Sequence, residues 1–291
     1  MKQLTLKKRR NWIPYLLVSP YVLFFLVFVA FPVLFSFFLT FHKWNIISPM
    51  EYSGTDNYER MFNDRLFWKS LRNTIWFLII HIPLQIIFAL GLAVFLNSKI
   101  RFKGLFRSIF FLPVIVSGVV VTIMWQQLYG FNGGLINQLL TSLGFDRVGW
   151  LTNPNMSMPS IAIMATWKNI GLYIILFLVG LQAVPAYYYE AAEIDGASSW
   201  QKLWYITIPA INPTIFMVVI LSTIGGFSLF IEPYVMTGGG PLNSSLSSVL
   251  YIYKQAFEFF HMGYAATLGF AFAFIILIII IIQKKYIEKK Y

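Results

Sequence analysis

Six long apolar stretches, separated by short polar segments, dominate the pattern of this chain. A helix that crosses a bilayer needs about 20 predominantly apolar residues. The stretches that meet this length cover residues 13–41, 71–96, 105–129, 160–184, 211–235 and 264–282. They predict one transmembrane domain over residues 13–283, between a tail of residues 1–12 and a tail of residues 284–291. We therefore expect an all-α integral membrane protein with six transmembrane helices.

The composition supports a membrane environment. Of the 291 residues, 58% are apolar and 11% are charged, and the mean hydropathy is +0.70. Soluble domains carry about 25% charged residues, so the composition excludes an ordinary soluble protein. The net charge of +11 comes mostly from short basic clusters between apolar runs, which indicates membrane topology and no nucleic-acid partner. The absence of cysteine excludes disulfides and thiolate chemistry.

The distribution of Lys and Arg predicts which side of the membrane each loop faces. If the N-terminus is cytoplasmic, the inner side carries fourteen basic residues and the outer side carries seven, with Lys168 inside a span. Short cytoplasmic loops are enriched in Lys and Arg. We therefore predict that both termini are cytoplasmic and that the basic clusters at 7–10, 99–107 and 284–290 lie inside. Loops 42–70, 130–159 and 236–263 are expected outside.

The inner loop over residues 185–210 is unusual because it carries three acidic residues and one basic residue. Pro185 favours a helix start, and Gly196 can adopt the left-handed conformation that ends a helix. Ser198 and Gln201 have the spacing of a capping box for a second helix. The pattern predicts a helix, a tight turn and a helix. Local features alone are also compatible with an amphipathic connector on the membrane surface.

The spacing within this loop resembles the signature of ABC importer permeases, which reads Glu-Ala-Ala, three residues, Gly, nine residues and Ile-x-Leu-Pro. Residues 190–209 match it and depart only at Ile208, where the signature has Leu. The resemblance implies a type I ABC importer permease fold in which this cytoplasmic loop is the coupling helix that docks into an ATP-binding subunit. The residues expected to couple the chain to that subunit are Glu190, Ala191, Ala192, Asp195, Gly196, Ile206 and Pro209.

Other segments resemble the carbohydrate branch of the same family, of the maltose and glycerol-phosphate type. The most specific of them is Tyr-Val-Met-Thr-Gly-Gly-Gly-Pro at 234–241, in a predicted outer loop. The resemblance implies a sugar or oligosaccharide as the solute and a bacterial or archaeal cytoplasmic membrane as the location. The partners it implies are a second permease subunit in a heterodimer, two ATP-binding subunits inside and a solute-binding protein outside.

The chain has no Gly-Lys dipeptide and therefore no Walker A loop for ATP phosphates. We expect no cofactor and no catalytic site on this chain, with ATP and Mg used by the partner ATPase subunits. The three histidines are far apart in the sequence, and no metal site is predicted. His81 lies within a span and is expected to make a hydrogen bond between helices.

Polar side chains inside the spans are candidates for the substrate pathway, because such groups are costly in lipid and face a protein interior or a watery cavity. Aromatic rings beside them suit sugar faces. The residues expected to line the pathway are Trp125, Gln126, Trp167, Asn169, Tyr173 and Glu232. For each of them, an interfacial position or a contact between helices is the alternative.

The sequence therefore predicts a permease subunit of a sugar ABC importer. The first alternative is a secondary transporter or a channel that is not driven by ATP, which would not need the loop at 185–210. The second is an intramembrane enzyme, for which the sequence shows no nucleophile–base or metal constellation.

Overall fold

The structure is a computed structural model that describes residues 12–98 and 101–287. The basic residues used to predict topology that lie outside the described residues are Lys2, Lys7, Lys8, Arg9, Arg10, Lys99, Lys289 and Lys290. The described chain is helical apart from one short β-hairpin and its loops. It divides into two compact units, one with described residues 12–62 and 255–270 and the other with described residues 63–98, 101–254 and 271–287.

The first unit begins with an apolar span and continues into a hairpin. Helix α1 (Ile13–Phe25), a π-helical turn (Leu26–Ala30) and α2 (Phe31–Leu39) follow one another without a break. Strand β1 (His42–Lys43) then pairs antiparallel with β2 (Glu51–Tyr52), and α3 (Asp56–Asn63) follows. The buried Asn57 amide donates to the carbonyl of Thr40 at 2.9 Å and to that of His42 at 3.1 Å. These bonds connect α3 to the segment between the end of α2 and the start of β1.

The second unit holds most of the helices. Its elements are α4 (Arg65–Asn97), α5 (Lys103–Ile115), α6 (Gly118–Leu128), α7 (Leu135–Ser142), α8 (Ser157–Gln182), α9 (Ala186–Ile194), α10 (Ser199–Lys202), a π-helical turn (Leu203–Thr207), α11 (Ile208–Ala210), α12 (Asn212–Phe227), α13 (Ile231–Thr237) and α14 (Ser248–Tyr253). A π-helical turn (Lys254–Glu258) and α15 (Met262–Ile287) complete the described chain.

The centre of the second unit is the long contact between α4 and α8. Phe77 of α4 and Ile161 and Phe177 of α8 are fully or almost fully buried. Helix α5 also packs on α8, at Gly171, where an added Cβ would overlap the backbone carbonyl of Phe110. Small residues allow helix backbones to approach closely in membrane proteins. Gly171 therefore sets the distance between α5 and α8.

Four described helices are long and apolar enough to cross a membrane, namely Pro14–Leu39, Arg65–Asn97, Ser157–Gln182 and Met262–Tyr286. Two bent helix pairs, Lys103–Ile115 with Gly118–Leu128 and Ser199–Ala210 with Asn212–Phe227, raise the number to six if each pair is one span. This number agrees with the six stretches that the sequence predicts.

Two of the predicted spans are not continuous helices. The span predicted over 105–129 consists of two helices, because α5 and α6 are bent by 97° and Val116 and Ser117 between them have extended backbone. Pro113 near the end of α5 lacks the N–H that would continue its hydrogen-bond ladder. The span predicted over 211–235 is also interrupted, because α12 ends at Phe227 and α13 begins only at Ile231.

Candidate functional site

The loop at 185–210 forms two short helices joined by a tight turn, as its sequence predicts. Helix α9 ends at Ile194, and Gly196 has φ +76°, in the left-handed region. The N–H of Ala197 donates to the carbonyl of Ala192 at 2.8 Å, and the N–H of Gly196 donates to that of Glu193 at 3.1 Å. This pair of bonds is a Schellman motif, which satisfies the last carbonyls of the helix. The predicted helix-ending role of Gly196 is confirmed.

The second helix begins with the predicted capping box. The N–H of Gln201 donates to Ser198 Oγ, while Gln201 Oε1 accepts from the N–H of Ser198 at 2.8 Å. The two side chains thus satisfy two backbone donors at the start of α10. The Lys202 ammonium then reaches back to Glu193 Oε1 at 2.7 Å and joins the end of α10 to α9. Bonds local in sequence therefore define the whole turn.

The surface of this loop is strongly exposed. Glu190, Ala191, Asp195 and Gly196, four of the residues expected to couple the chain to an ATPase, are exposed, and Ala192 is half-buried. Apolar side chains are exposed beside them: Ile194 is 87% exposed and Trp200 is 67% exposed. An exposed apolar patch with a polar rim is typical of an interaction surface.

The charge of the loop is fixed by its own ion pair. Lys202 lowers the pKa of Glu193 below its ordinary value, mainly through the hydrogen bond between them and also through their opposite charges. Glu193 therefore stays ionised at neutral pH, and Glu190 and Asp195 lie outside this pair.

The last two predicted coupling residues lie where the loop meets the spans. Ile206 and Pro209 are half-buried, and both line a cavity of about 550 Å³ together with Tyr188 and Tyr205. Tyr189 Oη lies 3.0 Å from Thr207 Oγ1, which connects α9 to the π-helical turn that precedes α11. The loop is thus held to the start of the fifth predicted span by side-chain contacts.

A second feature lies within the spans of the same unit. A cavity of about 510 Å³ is bounded by α4, α8 and α12, and by the break between α12 and α13. Three of the predicted pathway residues, Asn169, Tyr173 and Glu232, line it. Asn169 Nδ2 donates to the carbonyl of Ala165 at 2.9 Å, which orients the amide on its helix.

One ion pair crosses this cavity wall. Lys168 Nζ lies 3.1 Å from Glu232 Oε1, and the two side chains are 15% and 11% exposed. The break at residues 228–230 directs the start of α13 toward α8, so that Glu232 in its first turn meets Lys168. The sequence places both residues inside predicted spans but does not pair them, because 64 residues separate them. Two opposite charges inside predicted spans are the signal from which the pair could have been found.

The other three pathway residues do not line this cavity. The Trp125 and Trp167 rings pack on each other with centroids 5.5 Å apart. Gln126 Nε2 lies 3.3 Å from the carbonyls of Val235 and Met236 and thereby joins α6 to α13. These contacts between helices correspond to the alternative that the sequence left open for each residue.

His81 makes the hydrogen bond between helices that its position predicts. His81 Nδ1 lies 2.8 Å from Thr166 Oγ1 on α8. The hydroxyl of Thr166 donates to the carbonyl of Ala162, so the imidazole is the donor to that hydroxyl. Among residues 12–98 and 101–287, no group of three His, Cys, Asp or Glu side chains is arranged to hold a metal ion.

The chain is similar in sequence to known transport proteins, and the similarity includes the loop at 185–210. The family described as "Binding-protein-dependent transport system inner membrane component" matches residues 85–290, which include the loop and all of the cavity lining except Phe77 and His81. A probable ABC transporter permease protein, YesP of Bacillus subtilis, is 34% identical over 97% of this chain and 92% of its own length. The lactose transport system permease protein LacF of Rhizobium radiobacter is 37% identical over 92% of each chain.

The fold is shared with solved structures. A chain of a bacterial alginate ABC transporter, crystallised with an alginate pentasaccharide-bound periplasmic protein, superimposes with a TM-score of 0.81. The match covers 95% of this chain and 94% of that one at 24% identity. The predicted all-α membrane fold is therefore confirmed. With a family match over residues 85–290 and curated relatives along almost its whole length, the chain belongs to the family of binding-protein-dependent transport system inner membrane components, the permeases of ABC importers.

Proposed function

We propose that this chain forms the translocation pathway for a sugar or an oligosaccharide and that ATP hydrolysis in separate subunits drives transport through the loop at 185–210. The observation that carries the proposal is the exposed helix–turn–helix, whose turn is fixed by the Schellman motif and the capping box. A rigid exposed element at the end of a span can transmit a movement of a docked subunit to the membrane-spanning helices. Ile206 and Pro209 stand at that junction.

The proposed partners follow from the family. They are a second permease subunit in a heterodimer, two ATP-binding subunits that hold ATP and Mg, and an extracytoplasmic solute-binding protein. The family description names dependence on a binding protein, and the alginate transporter was crystallised with a periplasmic protein. In this proposal the chain carries out no covalent chemistry and holds no cofactor of its own.

The proposed solute class rests on relatives and on the cavity. Relatives that are 34–37% identical are named for lactose, arabinooligosaccharides and trehalose/maltose. The cavity within the spans, about 510 Å³, falls in the range of about 300–1,000 Å³ that is usual for small-molecule sites. We assign contact with the solute to Asn169, Tyr173 and Glu232. Trp125, Gln126 and Trp167 support the pathway by holding α6 against α8 and α13.

The proposed location is a bacterial or archaeal cytoplasmic membrane, with both termini and the loop at 185–210 inside. The absence of cysteine in the chain allows a direct test. Single cysteines at the exposed positions Ser48 and Ser142 should react with an impermeant reagent added outside intact cells, and one at the exposed Ser199 should react only after the membrane is opened. Labelling of position 199 from outside would contradict the orientation and the coupling role of the loop.

The test of energy coupling uses the assembled transporter in proteoliposomes. The chain alone should neither bind nor hydrolyse ATP, because it has no phosphate-binding loop. Uptake should appear only when the ATP-binding subunits, the second permease and the binding protein are present with ATP. A secondary transporter or channel, in contrast, would give uptake with the ATP-binding subunits omitted, and that result would overturn the proposal.

A further inference from the structure

The ion pair of Lys168 and Glu232 lies in the wall of the cavity, inside the predicted spans. Both side chains line the 510 Å³ cavity and are largely shielded from solvent. Ionisable residues inside membrane spans are rare and mark functional sites by default, because an unpaired charge there costs about 2.5–3.5 kcal/mol on insertion scales. In a cavity that passes a solute, these charges also decide which solutes can stay.

Among the described residues that line the cavity, Lys168 carries the positive charge and Glu232 carries the negative charge. The remaining titratable side chains there are His81, whose Nδ1 is engaged with Thr166, and Tyr173. The charge of the ammonium is therefore cancelled 3.1 Å away, inside the same wall. A solute in this cavity meets a dipole and no net charge.

The surroundings hold the ammonium in place. A Cβ built on Gly118 would lie 2.9 Å from Lys168 Nζ, so the absence of a side chain at the bend between α5 and α6 leaves the space that the ammonium fills. Glu232 is fixed from the other side by its place in the first turn of α13. The pair is therefore built into the junction of three elements.

The unused hydrogen-bonding capacity of the pair suits hydroxyl groups. An ammonium has three N–H donors and a carboxylate has two acceptor oxygens, and the contact between Nζ and Oε1 uses one of each. A sugar hydroxyl is both donor and acceptor, so neighbouring hydroxyls can bind the free N–H groups and the free oxygen together. A carboxylate on the solute would lose its hydration in this cavity without gaining a compensating charge, because Glu232 already neutralises the Lys168 ammonium.

We propose that Lys168 and Glu232 form a charge filter that makes the cavity neutral, so that it accepts uncharged saccharides and rejects anionic ones. This inference rests on the proposed function and narrows its solute class. Glu232 is the element that excludes anions: without its charge, the Lys168 ammonium would attract them.

The first test measures the charge of the cavity without any substrate. Ser228 lines the cavity and is exposed, so Ser228→Cys places one thiol there in an otherwise cysteine-free chain. In the assembled transporter, its reaction rates with sulfonatoethyl, trimethylammonioethyl and hydroxyethyl methanethiosulfonate are compared with those of a free thiol. The normalised ratio of anionic to cationic rates should lie near one. A ratio far from one in Ser228→Cys, in which Lys168 and Glu232 are both unchanged, would overturn the proposal.

Variants of the pair then test whether Lys168 and Glu232 are the residues that make the cavity neutral. Glu232→Gln should raise the ratio about tenfold and Lys168→Met should lower it about tenfold, as expected for one charge at a few ångströms. The double variant with Lys168→Met and Glu232→Gln should return to the starting ratio. It carries no unpaired charge, so it can still be measured if either single variant fails to fold. Glu193→Gln, which removes a carboxylate from the exposed ion pair with Lys202, is the matched control and should leave the ratio unchanged. Equal ratios in all variants would overturn the proposal.

The second test measures saccharide protection with the uncharged reagent. Lactose, maltotriose and arabinotriose are compared with trigalacturonate. In the Ser228→Cys background a neutral saccharide should slow labelling and trigalacturonate should not, whereas with Glu232→Gln trigalacturonate should also protect. Protection by trigalacturonate with Glu232 present would overturn the filter and leave the sugar transport proposal intact. Protection by no saccharide in any variant would overturn both the filter and the placing of a sugar in this cavity, while coupling to ATP is tested separately by uptake.

Discussion

The loop at 185–210 and the cavity within the spans are held together by different kinds of contact. Hydrogen bonds between residues at most nine positions apart define the turn of the loop, from Ala192 to Lys202. The cavity instead depends on pairs that are distant in sequence, such as Lys168 with Glu232 and His81 with Thr166. The loop is exposed and the pairs are buried. The surface proposed to meet an ATP-binding subunit is thus held by contacts local in sequence, while the cavity proposed to hold the solute is held by tertiary packing.

The largest effect should come from breaking the packing around the cavity without touching the loop. Gly171→Val should force α5 away from α8, because even a Cβ at this position would overlap the carbonyl of Phe110. We expect a loss of about 3 kcal/mol, at the upper end of overpacking effects. The measurement is thermal unfolding of the purified chain in detergent. Gly91→Val is the control, since no heavy atom lies within 4 Å of its added Cβ. Equal stability of the two variants would show that Gly171 does not set the helix distance.

A smaller effect should come from weakening the loop alone. Ser198→Ala removes the side chain that caps α10, which costs about 1 kcal/mol. Coupled ATP hydrolysis in the reconstituted transporter should fall about fivefold, while insertion and thermal stability of the spans stay unchanged. Ser142→Ala is the control, because Ser142 ends a helix and its hydroxyl bonds the carbonyl of Leu139. An unchanged ATPase rate in Ser198→Ala would show that the cap does not serve coupling.

The smallest effect should come from the exposed ion pair of the loop. Because Lys202 lowers the pKa of Glu193 from its ordinary value of 4.5, this pair stabilises the loop above about pH 4.5, and the contribution is lost as the pH falls through the lowered value. At neutral pH, Lys202→Met should change the ATPase rate little, since exposed ion pairs contribute little. Carboxyl-carbon NMR of Glu193 should show its pKa rising toward 4.5 in this variant. A pKa that does not change would show that the pair is absent in solution.

The comparison also explains what the sequence can predict. The capping box of Ser198 and Gln201 and the left-handed Gly196 follow from residue type and short spacing, and both are confirmed. The number of apolar stretches follows from length and composition in the same way. These features depend on interactions within one segment, which a sequence displays directly.

Features that depend on tertiary packing were not predicted. The bend between α5 and α6 lies inside a continuous apolar run, and hydropathy does not reveal a break there. The pairing of Lys168 with Glu232 needs the interruption between α12 and α13, which the apolar run at 211–235 conceals. Pathway residues were therefore chosen by polar or aromatic character alone: Asn169 and Glu232 line the cavity, whereas Trp125 packs against another ring.

The coupling role of the loop is tested most directly by asking which subunits remain bound when its turn is strained. Gly196→Val places a β-branched residue at φ +76°, where a left-handed backbone costs about 1–2 kcal/mol. The control is Gly133→Val, at an exposed position without positive φ and with no heavy atom within 4 Å of the added Cβ.

The measurement is co-purification of the tagged chain from its native membrane, with the amount of each partner subunit determined per chain. The wild type and Gly133→Val should bring along both the second permease and the ATP-binding subunit. Gly196→Val should keep the second permease and lose about tenfold of the ATP-binding subunit. A normal amount of the ATP-binding subunit with Gly196→Val would contradict the account and reduce the loop to a connector between spans.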